Sequence, residues 1–137
     1  MSNLDIINPE SLGKPKGFSH GIMANSGRIL FVAGQPGYVA SANRSSAPSF
    51  QQQFAHALDR VIAVVQEAGG QPTDITRLTI FVTNLEAYLD SREALGEAWK
   101  QRFARYYPAT TLVEVKGLVD EGAVVEIEAT AMIGAGR

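Results

Sequence analysis

The sequence predicts an α+β domain in which two helices cover one face of a mixed β-sheet. Three observations carry that expectation: a long stretch of helical period near the middle of the chain, a closing run in which apolar and polar residues strictly alternate, and a strand–helix pattern that occurs twice. Read in order, the elements run β-β-α-β-α-β-β. With 137 residues, 45% hydrophobic and 19% charged, the chain suits a single domain, residues 1–137, built on one core.

The leader "MSNLDIINPESLGKP" reads as extended chain without an element of its own. In "GIMANSGRILFVAGQPG" two apolar stretches flank the turn signal "NSG", which predicts a β-hairpin with Ile29 to Ala33 as its second strand. The polar segment "YVASANRSSAPS" reads as a loop. Ser49 then caps a helix, with Gln52 in capping-box register, and Phe50, Phe54, Ala57, Leu58, Val61, Ile62 and Val65 form its buried stripe. Gly69 and Gly70 stop it. The β-branched run "DITRLTIFVTN" reads as a strand, and a second helix is expected from Leu85 to Tyr106, ended by Pro108. "TTLVEV" and "AVVEIEATAMIG" are the last strands.

Composition excludes several classes of function. A net charge of −2 with scattered basic residues gives no footprint for nucleic acid or an anionic membrane. The absence of cysteine removes disulfides, thiolate nucleophiles and thiolate metal sites, and His20 and His56 lack metal-ligand spacing. Neither a metal nor an organic cofactor is expected. The leader has no basic region followed by an apolar run, and no stretch reaches the roughly 18 apolar residues of a membrane span, so a cytoplasmic protein is the simplest expectation. Helices on one side of the sheet would leave the other face bare, and an apolar bare face implies a partner subunit.

Alternation in "VVEIEATAMI" places Val125, Ile127, Ala129 and Ala131 on one face and Glu126, Glu128 and Thr130 on the other. The two carboxylates are then roughly 6 to 7 Å apart along the strand. A carboxylate held in such a place can orient a water or carry a proton. The plainer reading is a pair of solvated charges that oppose edge-to-edge aggregation. Glu114 shares a face with Thr110 and Leu112. His20, bracketed by glycines in "GFSHG", is either a loop histidine bonded to backbone or a group held for titration near neutral pH. His56 falls on the polar side of the first helix. "AGQPG", Ala33 to Gly37, is either a turn or a segment that offers backbone N–H groups to an anion.

Taken in order, "SGRILFVAGQPG", "FQQQFAHALDRVIAVVQEAGG", "DITRLTIFVTNLEAY", "YPATTLVEVKGL" and "VEIEATA" resemble the Rid/YjgF family of reactive-intermediate imine and enamine deaminases, also known as the L-PSP endoribonuclease group. The resemblance implies a chorismate-mutase-like fold and a homotrimer whose sheets form a central barrel, with clefts between subunits for a small-molecule substrate. Members that act on simple imino acids carry an arginine after the "PA" of the motif, where it grips the substrate carboxylate. Here that residue is Thr110, whose hydroxyl offers a neutral bond where arginine offers a charged fork. Where many members have cysteine, this chain has Leu112, and where they have a tyrosine before the hairpin it has His20. The water-positioning carboxylate falls on Glu126, because "EIEA" matches without a gap, with the backbone of Gly34 and Ala33 beside it.

The residues and the resemblance together imply a hydrolase for a reactive imine or enamine that is not a simple 2-imino acid. Glu126 would orient water and His20 would act as acid, base or polar anchor. Thr110, Leu112, Gly34, Ala33 and Tyr88 would bind the substrate. The alternative is a non-catalytic trimer that binds a small metabolite or a protein in the same cleft. RNA cleavage is disfavoured by the acidic balance. Arg28 and Arg44 are the candidates to replace the missing arginine in space.

Overall fold

The computed structural model describes residues 3–40 and 46–134. Its strands are β1 (Leu4–Ile7), β2 (Gly21–Ala24), β3 (Arg28–Pro36), β4 (Ile75–Val82), β5 (Ala109–Glu114) and β6 (Val125–Ile133). The helices are α1 (Phe50–Glu67), α2 (Leu85–Asp90) and α3 (Arg92–Phe103), with short 3-10 turns at Glu10–Leu12 and Pro72–Asp74. Four strands form a mixed sheet in the order β3-β6-β4-β5, antiparallel except for the β4–β5 pair.

The α1 helix forms as its sequence dictates. Ser49 accepts from the Gln52 N–H, the Gln52 side chain accepts from the Ser49 N–H, and Gly69 leaves the helix at φ 87°. Its stripe of Phe54, Ala57, Leu58, Val61 and Val65 packs onto Leu78, Ile80 and Val82 of β4 and Val125, Ile127 and Ala129 of β6. Each buried Leu, Ile or Val of this kind contributes about 1.5 to 3 kcal/mol. Among the described residues no helix lies on the other face of the sheet, and there Phe31 stands 77% exposed and Ile29 58%.

Three expectations change. The "NSG" segment does turn the chain, but β2 pairs antiparallel with β1, not with β3, so the leader supplies a strand that its sequence does not announce. This ribbon crosses the ends of the main sheet, from a bridge between Ser19 and Ala109 to the contact of Gly27 with Ile133. β3 does not stop at Ala33 but continues to Pro36 through an irregularity between Val32 and Gln35, where three steps on β3 match two on β6.

The second helix is two helices. Ser91, at φ −102° and ψ 3°, interrupts it, and the helix ends at Ala104 in a left-handed conformation, φ 55°, four residues before Pro108. The early exit has a physical reason in the aromatic residues beyond it. Trp99 donates to the Tyr106 carbonyl at 3.1 Å and stacks on both Phe103 and Tyr107, while the Tyr106 hydroxyl donates to the Ile75 carbonyl. Continued helix would carry these groups away from their partners. Gln53, 1% exposed on α1, ties the β5–β6 connection down: it donates to the Gly122 carbonyl at 2.9 Å and accepts from the Val124 N–H at 2.8 Å.

Candidate functional site

Because Val125 and Ile127 are buried under the helices, Glu126 projects from the opposite face of β6, level with Pro36 on β3 and Phe81 on β4. Its carboxylate rests on the bulge of β3. A Cβ placed on Gly34 would lie 2.3 Å from the Glu126 Oε2, so only glycine leaves that space. Ala33 precedes it in the bulge, and its carbonyl accepts from the Gln35 side chain at 3.1 Å. Glu126 is half-buried here, whereas Glu128, two residues on and level with Thr79, is exposed. The bulge thus distinguishes two carboxylates that alternation alone leaves equivalent. Gly37 offers no free donor, since its N–H is bonded to the Val125 carbonyl at 2.8 Å.

Thr110, Leu112 and Tyr88 come together elsewhere, in a cavity of about 520 Å³ between β5, the α2–α3 segment and the chain at Lys16–Phe18. The register sets Thr110 opposite Leu78 and Leu112 opposite Ile80, on the helix side of the sheet. Glu114 continues that face and accepts from the Leu85 N–H at 2.8 Å, where it serves the start of α2. The Thr110 hydroxyl donates to the Pro108 carbonyl at 2.9 Å, so its proton is engaged and it retains only acceptor capacity. Trp99, Tyr107, Phe18 and Leu95 make the cavity aromatic and apolar, and Lys16, Arg92 and Lys100 supply its charge. Sequence reasoning missed these cations. The visible signal was the spacing of Arg92, Gly96 and Lys100, one helical turn apart and alternating with the buried Leu95 and Trp99.

His20 lies beside this cavity without lining it. Its ring meets Phe18 edge-on at 5.1 Å, and its Nε2 is 3.2 Å from the Gly13 carbonyl. A carbonyl only accepts, so Nε2 carries a hydrogen in that contact. The His20 N–H donates to the Asn8 side chain at 2.8 Å. Arg28, at the start of β3, is not among the residues that line the cavity, and Arg44 lies outside the described residues. Among the described residues no three histidine or acidic side chains gather as a metal site would require. No described helix is long and apolar enough to cross a membrane.

The candidate residues therefore form two groups. Glu126, Gly34 and Ala33 occupy the uncovered face at the β3–β6 end of the sheet, and Thr110, Leu112 and Tyr88 occupy the helix side at the β5 end. Chemically, the first group presents a carboxylate that can accept a proton, and the second presents an apolar cavity with a cationic rim.

Comparison with known proteins gives one consistent set of relatives. The model of the family described as Endoribonuclease L-PSP matches residues 10–133. A RutC family protein of Pyrococcus abyssi is 26% identical over 93% of this chain and 95% of its own length. Among solved structures, the Rid family protein YyfB of Yersinia pestis, itself of unknown function, superposes with a TM-score of 0.81 at 30% identity, covering 96% of this chain and 100% of that one. E. coli TdcF with bound serine gives a TM-score of 0.66 at 27% identity, with 89% and 92% covered.

Proposed function

Because the chain belongs to the Endoribonuclease L-PSP family, which includes the Rid and YjgF proteins, we propose that it hydrolyses a reactive imine or enamine that is not a simple 2-imino acid. The observation that carries this reading is the Glu126 carboxylate seated on the Gly34 bulge, half-buried and directed away from the core. There it accepts a proton from water as the oxygen bonds to the imine carbon. The C=N electron pair moves to nitrogen, which takes up a proton from solvent. The carboxyl group then returns its proton to the nitrogen, the C–N bond breaks as the new hydroxyl gives its proton back to solvent and its oxygen forms the C=O bond, and ammonia leaves a carbonyl product. Positioning is the main requirement, since an imine carbon is already electrophilic. His20 serves as acid, base or polar anchor at the cavity's edge.

The division of the candidate residues favours a site shared between subunits of a homotrimer with a central barrel. Opposite ends of one sheet cannot meet within a chain, but a head-to-tail ring apposes the β5 end of one subunit to the β3–β6 end of the next. The exposed Phe31 and Ile29 supply an apolar face for such a ring. Thr110 in place of arginine supports the exclusion of simple 2-imino acids, the more so because its hydroxyl proton is taken by Pro108.

The test is ammonia release from a panel of enzymatically generated imines, with and without a carboxylate beside the imine carbon, by wild type, Glu126→Gln and Thr110→Arg. Turnover by wild type that vanishes in Glu126→Gln is the expected result. Unchanged turnover in Glu126→Gln removes the assignment. A silent wild type beside an active Thr110→Arg identifies a binding protein on an intact scaffold.

A further inference from the structure

We infer that the cavity takes an amphipathic anion, a carboxylate on an aromatic or branched apolar body, and that Arg92 on α3 is the residue that holds the charge. This assigns the substrate class of the site proposed above and rests on that reading only for the reaction, not for the binding.

Three features lead here. The first is charge: Lys16, Arg92 and Lys100 all line the cavity, no carboxylate among the described residues does, and Glu93 and Glu97 of the same helix lie outside its lining. Arg92 spends one N–H on the Leu89 carbonyl, at 3.1 Å, which fixes the side chain at Nε and leaves the terminal nitrogens of the fork without a protein acceptor among the described residues. A fork of that kind matches a carboxylate in two parallel bonds.

The second is Gly96. It lies inside α3 and lines the cavity between Arg92 and Lys100, yet a Cβ there would meet nothing within 4 Å. Glycine is a costly residue inside a helix, and here neither packing nor a positive φ asks for it. What its missing side chain does preserve is open volume beside the two cations. The third is the β5 side of the cavity, where the Thr110 proton is already given to Pro108 and an acceptor remains. An anion is repelled there and drawn to α3, while its apolar body lies among Trp99, Tyr107 and Leu112.

The experiment measures binding of phenylacetate and indole-3-acetate, and of their neutral amides, by calorimetry at low and high salt. Expected is a preference for the acids of about tenfold, weakened by salt, as charge-assisted bonding at a partly exposed rim predicts. Arg92→Gln should bring the acids down to the affinity of the amides. Gly96→Ala should raise the melting temperature while weakening acids and amides alike, a split that a purely structural role would not produce. Equal affinity for acid and amide, no binding of either, an acid preference that survives Arg92→Gln, or full affinity in Gly96→Ala each overturns the inference. Intact acid binding with no ammonia from any imine removes the deaminase reading alone, and imine turnover without acid preference removes this inference alone.

Discussion

The Glu126 carboxylate occupies the place where any residue other than glycine at position 34 would put its Cβ, with only 2.3 Å between that point and Oε2. The contact couples a bulge in one strand to a side chain of its neighbour. Gly34→Ala should therefore displace the carboxylate and leave the fold intact, because the group that must yield is the flexible end of a side chain. Loss of a general base costs about 10² to 10⁴ in rate, and a displacement near 1 Å can cost roughly 10². Steady-state ammonia release should show both losses. The double variant with Glu126→Gln should be no slower than Glu126→Gln alone, and additive losses would separate the two residues.

Gln53 gives a stability prediction. Gln53→Leu leaves the Val124 N–H and the Gly122 carbonyl without the partners they have now. Val124 is half-buried and Gly122 exposed, so water recovers part of each bond, and urea unfolding should register a loss of about 1 to 2 kcal/mol. A near-neutral result would mean that water or a shift of the β5–β6 connection replaces the side chain.

Tyr106 predicts a pH dependence. Burial, and secondarily the Asp74 carboxylate, raise its pKa well above the ordinary tyrosine value. Below about pH 10 the phenol is protonated in folded and unfolded chains alike, and the full contribution is present. As pH rises past that point the unfolded chain releases its proton first, so unfolding becomes easier by up to about 1.4 kcal/mol per pH unit. Tyr106→Phe lacks this slope. At pH 7 it should be less stable than wild type by about 1 kcal/mol, for the lost bond to Ile75, and the gap should close and reverse in alkaline unfolding curves. A gap that stays constant would place the phenol's titration elsewhere.

Phe31→Asp probes assembly. The side chain is 77% exposed on the bare face of the sheet, level with Thr130 of β6. Light scattering should report a trimer for wild type and a single chain for the variant, with the far-ultraviolet circular dichroism unchanged. An unaltered mass, or a monomeric wild type, removes the ring.

How much of the fold and the site was legible in the sequence depends on where each constraint resides. α1 and β6 announce themselves because their periods, 3.6 and 2, are set by one large core face, and the cap at Ser49 is local chemistry. β1 was hidden because its partner is β2 at the margin of the sheet, where only Leu4 of its four residues is buried and no alternation results. The break at Ser91 and the exit at Ala104 have no proline or glycine to mark them; they follow from what Trp99 and Tyr106 bond to in three dimensions. Alternation separated Glu126 from Ile127 correctly. It could not tell Glu126 from Glu128, because that difference lies in a bulge on another strand. Gln53 sits in a run of three glutamines, and nothing local singles out the buried one.

The strand order has a consequence for synthesis. β6 lies between β3 and β4, joined to both, although it is the last of these elements to leave the ribosome. Arg28 must await Ile133, more than a hundred residues later, before its strand acquires a neighbour. Until then α1 and the parallel β4–β5 unit can form, but the sheet cannot close over them, and the apolar residues of β3 remain uncovered. Such late, long-range pairing slows folding and prolongs exposure to aggregation. A nascent chain arrested before Val125 should accordingly be protease-sensitive and bound by chaperones, with protection gained in one step as the final strand emerges.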